Sequence, residues 1–342
     1  MRHVLMLIVL LLGGPASAQT WLFESAQAIP STDTGWGYIT LDPPSGRLFV
    51  ARRDDGLLVW NTKTHEAVTV ENSKGANGVV IVPDVRRGYA AMTDGTVLIF
   101  NLDTLKPISR EDLGVGDLNQ GFYEPTQRRV HMVSGARAEK TVWVTMDAAT
   151  GEVLGRMEFN SKKMDTPAPD GDGAVYAIQR DRGLLQRLDA KTLALQKTWK
   201  LGDCAQPVNV DWDGPTERVL IACRGDKPVF VALNPATGIV ATIPIGRGVN
   251  GMAIDPGRHL IVTSNGEDGT FSIIRQDGPD GYALVETIST RPTAGVLELD
   301  PRTGRLFTVS ATYTRPAAGA DGKPPTPFYH PDSFSILSYH LP

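Results

Sequence analysis

Amides and one carboxylate, rather than paired acids or a nucleophile beside a histidine, are the polar groups this chain sets out at regular intervals. Asn77, Asn119, Asp165 and Asn250 stand at the start of recurring apolar stretches, with Gly37, Val208 and Gly295 at the equivalent points. One residue further on lie Tyr38, Gly78, Gln120, Thr166, Asn209, Gly251 and Val296. Amides and hydroxyls donate and accept hydrogen bonds, which suits a polar ligand. They do not exchange protons usefully near neutral pH, so acid–base catalysis has little to draw on. Asp165 is the one acid in these two columns, without a histidine beside it, and an enzyme reading rests on it alone. The asparagines also have a plainer role open to them, that of satisfying backbone groups where strands begin.

Cations and aromatics recur nearby. Arg137, Lys140, Arg180, Arg182, Arg224 and Lys227 fall in three successive loops, diluted by Glu139, Asp181 and Asp226. Gathered on one side of a cavity they favour an anionic ligand or an acidic partner surface. Near the C-terminus "RPAAGADGKPPTPFYHPD" (315–332) is longer than most connections, which often marks a functional loop. Its Phe328, Tyr329 and His330 are candidates to close over a ligand, and Arg315 and Lys323 add positive charge. His330 is the one histidine placed to reach this region: His65 falls in a turn on the opposite side, His131 and His259 read as strand residues, and His340 is near the chain end. "GRGVNG" (246–251) has the glycine spacing of a nucleotide loop but leads into a strand, not a helix. The Ser-x-x-Lys, G-x-S-x-G and C-x-x-C-H patterns are absent from the sequence. No metal site and no cofactor are expected.

The elements that carry these residues form a repeat. "LDPPSGRLFV" (41–50) returns as "LDPRTGRLFT" (299–308). Related turns occur at Pro83-Asp84, Glu124-Pro125, Pro169-Asp170, Asp213-Gly214 and Asp255-Pro256, about 41 to 46 residues apart. A second turn follows each of the first six, as in "NTKT" (61–64), "NLDT" (101–104) and "NPATG" (234–238). Short alternating apolar runs between turns, rich in β-branched and aromatic residues, read as strands. Four strands per unit of about 42 residues fit a blade of a β-propeller. Seven first turns predict an all-β, seven-bladed propeller of four-stranded antiparallel blades. The last unit lacks its fourth strand, whereas residues 19–30 precede the first unit with no blade of their own. That segment is expected to complete the seventh blade and close the ring. Trp60, Phe100, Trp143, Phe230, Phe271 and Phe334, before the second turns, are expected to pack between blades.

Composition excludes some functions. With 41% hydrophobic and 21% charged residues and a net charge of −4, the chain lacks the basic footprint of a nucleic-acid binder. Residues 1–18 read as a signal peptide: Arg2 and His3, the apolar run Val4 to Leu12, then Ala16-Ser17-Ala18 as a cleavage site. The run is about half of the roughly 20 residues a membrane span needs. Export to the periplasm or beyond is therefore expected, with residues 19–342 as one propeller domain and no membrane span. The two cysteines, Cys204 and Cys223, flank a predicted hairpin and read as one disulfide or as two buried thiols.

The pattern "L-D-P-x-x-G-R-L-F-V … V-W-N-x-x-T" resembles the YVTN-type repeat of exported bacterial propellers, the YncE-like family. The likeness spans essentially the whole expected mature chain. It implies the propeller fold but no single activity, since such propellers include binding proteins, lactonases, lyases and subunits of redox systems. Relatives more often carry Asp, Glu or His at several funnel positions where this chain has Gly37, Asn77, Asn119 and Asn250. The expectation is an exported, non-catalytic propeller that meets a small polar or anionic ligand, or an exported protein, at its funnel face. The alternatives are a lactonase-type hydrolase and an accessory subunit of a periplasmic redox system.

Overall fold

The computed structural model describes residues 20–137, 139–316 and 327–342. The expected signal peptide and the middle of the 315–332 insertion, Lys323 included, lie outside the described residues. Among the described residues, seven four-stranded antiparallel sheets follow one another around a ring. Blade one is Ile39–Asp42, Arg47–Ala51, Leu57–Asn61 and Ala67–Thr69, from the bore outward. Blade seven runs Leu297–Asp300, Arg305–Ser310, Ser335–His340 and finally Leu22–Ala28. The N-terminal strand is thus the outer strand of the last blade, as the missing fourth strand predicts. Trp21 is buried beside it and donates to the Gly304 carbonyl at 2.8 Å.

Both turns are built from the same parts in successive blades. After the innermost strand, an acid whose side chain is almost fully buried accepts from the turn that follows. Asp42 takes the Ser45 hydroxyl, Glu124 the Thr126 hydroxyl and Gln127 amide, and Asp255 the Arg258 amide. The residue just before the second strand is left-handed in all seven blades: Gly46, Arg86, Arg128, Gly173, Glu217, His259 and Gly304. His259 is therefore a turn residue rather than a strand residue, because its φ of 56° ends the turn. At the second turn the Asn61, Asn101, Asp147 and Asp189 side chains each accept two backbone amides. Short polar side chains that mimic a backbone turn explain why these letters punctuate the sequence.

Apolar residues of neighbouring blades pack face to face. Trp60, Phe100, Trp143, Phe230, Phe271 and Phe334 are all buried in these layers, as their place before the second turn predicts. Phe49 meets Phe100 across blades one and two at 6.0 Å, and Trp60 meets Phe307 across blades one and seven at 5.8 Å. Among the described residues no helix is long and apolar enough to cross a membrane.

Cys204 and Cys223 form a disulfide in blade five, with Cα atoms 5.3 Å apart. Cys223 lies in the strand Arg218–Arg224, whereas Cys204 sits in the loop before the strand Gln206–Asp213. The bridge ties the loop entering the innermost strand to the strand end that carries Arg224. Closing a loop of this length by the chain-entropy argument is worth about 3 kcal/mol. Reduction, or Cys204→Ser with Cys223→Ser, is expected to lower the unfolding free energy by about that amount in denaturant titrations. Glu217→Gly is expected to act oppositely, because glycine removes the cost of a left-handed residue at an exposed turn. A gain of up to about 1 kcal/mol in the same assay is expected.

Candidate functional site

Entry into the innermost strands is irregular where the polar column lies. The pairing register shifts between Ala76 and Gly78, Leu118 and Gly121, Pro207 and Asn209, and Val249 and Gly251. A bulge inserts a residue that no longer follows the alternation of the strand, and so re-aims its side chain. The bulges fall at Asn77, Asn119 with Gln120, Val208 and Asn250; Asn77, Asn119 and Asn250 line the mouth of the bore, whereas Gln120 and Val208 border the cavity below it.

The column then hands hydrogen bonds from blade to blade. Asn77 Nδ2 donates to the Leu118 and Asn119 carbonyls at 3.0 and 2.9 Å, backbone groups at the bulge of the next blade. Asn119 Nδ2 donates to Asp165 Oδ1 at 3.1 Å and reaches the Met164 carbonyl at 3.4 Å. The Tyr38 hydroxyl lies 3.2 Å from both Asn119 Oδ1 and Asp165 Oδ1 and has one proton for the two. Asn77 therefore plays the plainer role, that of satisfying backbone. Asn250 differs: its side chain makes no hydrogen bond within the described residues and borders three chambers of the bore.

Cations close over Asp165. Lys163 Nζ donates to Asn119 Oδ1 at 3.1 Å and lies 3.8 Å from Asp165 Oδ1; Arg180 Nη1 lies 3.8 Å from Asp165 Oδ2. Asp165 is 2% exposed, and its Oδ2 has no hydrogen-bond partner. Arg224 is held from one side by the Val249 carbonyl. Burial, opposed by the Asp165 charge, lowers the Lys163 pKa. Burial and then the Arg180 charge act the same way on Arg224. A guanidinium stays protonated in a protein, so this direction means that the charge is held at a cost. Burial and the Asp165 charge push the Tyr38 phenol well above its ordinary value. Lys163, Arg180 and Asp165 line a mouth cavity of about 420 Å³ together with Arg53 and Asp117, and Arg224 stands at its side, within reach of the Asp165 charge.

Two of the remaining loop cations are neutralised by acids, while Arg182 meets a backbone carbonyl and Lys227 is exposed. Arg137 pairs with Asp117 at 2.5 Å, Lys140 with Glu158 at 2.7 Å, and Arg182 donates to the Asn160 carbonyl. Of the insertion residues, Arg315 and Tyr329 line a side chamber, whereas Phe328 is half exposed and the His330 ring is bonded to Thr314 at 2.7 Å outside it. Lys163 was not singled out from sequence, although it stands two residues before Asp165. What brings it in is the Asn119 contact, which joins two blades.

Below Tyr38 the bore continues as a cavity of about 380 Å³, bordered by Gln120, Thr166 and Asn209. Here the expectation of a funnel nearly free of carboxylates fails. Asp211 and Glu298 also line it, two residues beyond Asn209 and Val296 on their strands. They escaped a reading confined to the strand starts because only the ring brings blades five and seven to one bore. Both side chains are enclosed by protein yet in touch with the bore. Burial raises Asp211 to about 6; burial, then the Asp211 charge, raises Glu298 to about 8. Among the described residues no three His, Cys, Asp or Glu side chains group to hold a metal ion.

The native state binds more protons than the unfolded chain between the ordinary carboxyl range and pH 8, so stability is greatest below about pH 4 as far as this pair decides it. It is lost as the pH rises through 6 to 8. Glu298→Gln is expected to raise the unfolding free energy at pH 8 by roughly 2 kcal/mol, with bore water softening the full effect, and to change little at pH 4. Denaturant titrations at the two pH values measure this.

No family model and no curated protein matches the chain. Solved structures do. A chain of Kuenenia stuttgartiensis hydrazine synthase superposes with a TM-score of 0.69 at 14% identity, covering 81% of this chain and 93% of that one. A chain from the crystal structure of a mitotic checkpoint complex superposes with a TM-score of 0.74 at 16% identity, covering 98% of each. At such identities the likeness is one of fold, and the fold it supports is the seven-bladed propeller.

Proposed function

We propose that this protein is a non-catalytic binding propeller that takes a small anionic ligand at its funnel mouth. The observation that carries this reading is the set of Lys163, Arg180 and Arg224 held around one buried carboxylate. Arg180 makes no side-chain hydrogen bond within the described residues, and its charge already depresses its two cationic neighbours. An anion seated among them gains charge-assisted hydrogen bonds and relieves that repulsion. Tyr38, Asn119 and Asp165 then act as a fixed base, and Asn250 supplies an uncommitted amide.

Catalysis lacks a partner for Asp165, whose carboxylate is engaged by Tyr38 and Asn119 with no histidine in contact. Membership of the YVTN-repeat, YncE-like propellers is part of the proposal. Export is as well, supported by the disulfide, which belongs to oxidising compartments in most organisms, and by the sequence of residues 1–18. An acidic surface of an exported protein is the macromolecular form of the same charge complementarity.

A thermal-shift screen of the chain against organic anions, sugars, lactones, haems and divalent metals tests the reading, since a ligand of the native state raises Tm by mass action. Organic anions are expected to raise it. Arg180→Ala is expected to weaken their binding about tenfold or more while leaving the ligand-free Tm nearly unchanged. Because Lys163 sheds its proton below the usual lysine range, affinity is expected to fall as the pH rises from neutral toward 10. Sugars or metals shifting Tm where anions do not would overturn the proposal.

A further inference from the structure

Beside the mouth, between blades six, seven and one, lies a second chamber of about 470 Å³. Its lining is unlike that of the rest of the bore. Gly37, Gly248, Gly266 and Gly295 border it, so bare backbone forms much of its wall. Their close approach shows why: a Cβ on Gly266 would stand 3.0 Å from the Gly295 Cα, and one on Gly248 2.5 Å from Glu267. Trp36, Tyr313 and Tyr329 supply aromatic surface. The Trp36 and Tyr329 rings are 4.9 Å apart and tilted, Tyr313 and Tyr329 are 6.5 Å apart, and all three remain partly open.

The charged groups bordering this chamber are not equivalent. Arg247 is neutralised by Asp268 at 2.8 Å, Glu267 is exposed, and Arg315 lies over the Tyr313 ring at 5.7 Å. Arg224 borders the chamber on the side of the mouth, where Arg180 adds its charge. Trp36, Gly37 and Asn250 line both cavities, so the two adjoin. Side-chain-free backbone gives a flat ring room to lie, and aromatic rings favour another π-system in offset or edge contact. A guanidinium at the junction fixes a carboxylate in direction.

We infer that the ligand is an aromatic carboxylate, its acid group held at the mouth by Arg180 and Arg224 and its flat ring lodged in the glycine-walled chamber under Trp36, Tyr313 and Tyr329. The inference rests on the anion reading and adds what the anion is attached to.

Calorimetric titration of the full chain with 2-naphthoate, its ring-saturated counterpart and acetate separates the two claims. The aromatic acid is expected to bind about tenfold more tightly than the saturated one. Tyr329→Leu is expected to remove most of that preference and leave acetate binding as it was. Gly295→Leu fills the chamber from its wall: Gly295 has no left-handed φ, and its added Cβ meets only ordinary contacts at 3.6 Å or more. It is expected to weaken 2-naphthoate at least tenfold and to spare acetate. Equal affinity for the two ring acids, or a preference untouched by both variants, overturns the aromatic inference and leaves the anion reading standing. A ring preference kept while acetate fails to bind and Arg180→Ala changes nothing overturns the anion reading instead. No binding of any of the three acids overturns both.

Discussion

A four-stranded blade has two apolar faces and cannot bury either alone, so each must find a neighbour on both sides. Everything else in this molecule depends on that constraint. Linear stacking would leave two faces in water; a closed ring leaves none. Closure here pairs Leu22–Ala28 with Ser335–His340, so the two ends of the chain share one sheet. The Trp21 indole, inserted between blades six and seven and bonded to Gly304, ties that strand to a turn of the blade it completes.

Once the ring is closed, the innermost strands converge on a bore where side chains from every blade compete for little space. Bulges at the strand entries turn asparagines inward; Asn77 serves the backbone of the next blade, Asn119 holds Asp165, and Asn250 stays uncommitted. What remains is an electrostatic division of the bore. The mouth holds cations in excess over Asp165; the part below Tyr38 holds Asp211 and Glu298. Lys163 and Arg224 in the first part, and Asp211 and Glu298 in the second, are desolvated and shifted toward their neutral forms. Such unrelieved charge is a standing cost to the fold, and it persists where a ligand or a proton can remove it.

The side chamber illustrates a different economy. Glycines let blades six and seven approach closely at the mouth, and the absence of side chains leaves a flat wall. The hairpin Tyr313–Thr314 with Phe328–Tyr329, at the base of the seventh-blade insertion, brings Tyr329 onto Trp36. The insertion's importance thus lies, within the described residues, in one tyrosine and one arginine; Phe328 and His330 face away from the bore.

The sequence carries the repeat, the number of blades, the direction of closure and the packing aromatics in legible form, because turn chemistry and alternation are local and recur at a fixed period. It also marked Tyr38, Asn119 and Asp165 at strand entries and Arg180 and Arg224 in the loops after second strands, since both kinds of position open on the funnel face. It could not separate Arg180 from Arg137 or Lys140, as neutralisation depends on which acid a folded loop meets. It missed Lys163, Asp211 and Glu298 for a related reason. Their significance comes from neighbours on other blades, and distance through space across a ring bears no relation to distance along the chain. Which charges are paired and which face the open bore is settled in the folded ring alone, because desolvation and Coulomb energy are set by what surrounds a group in three dimensions.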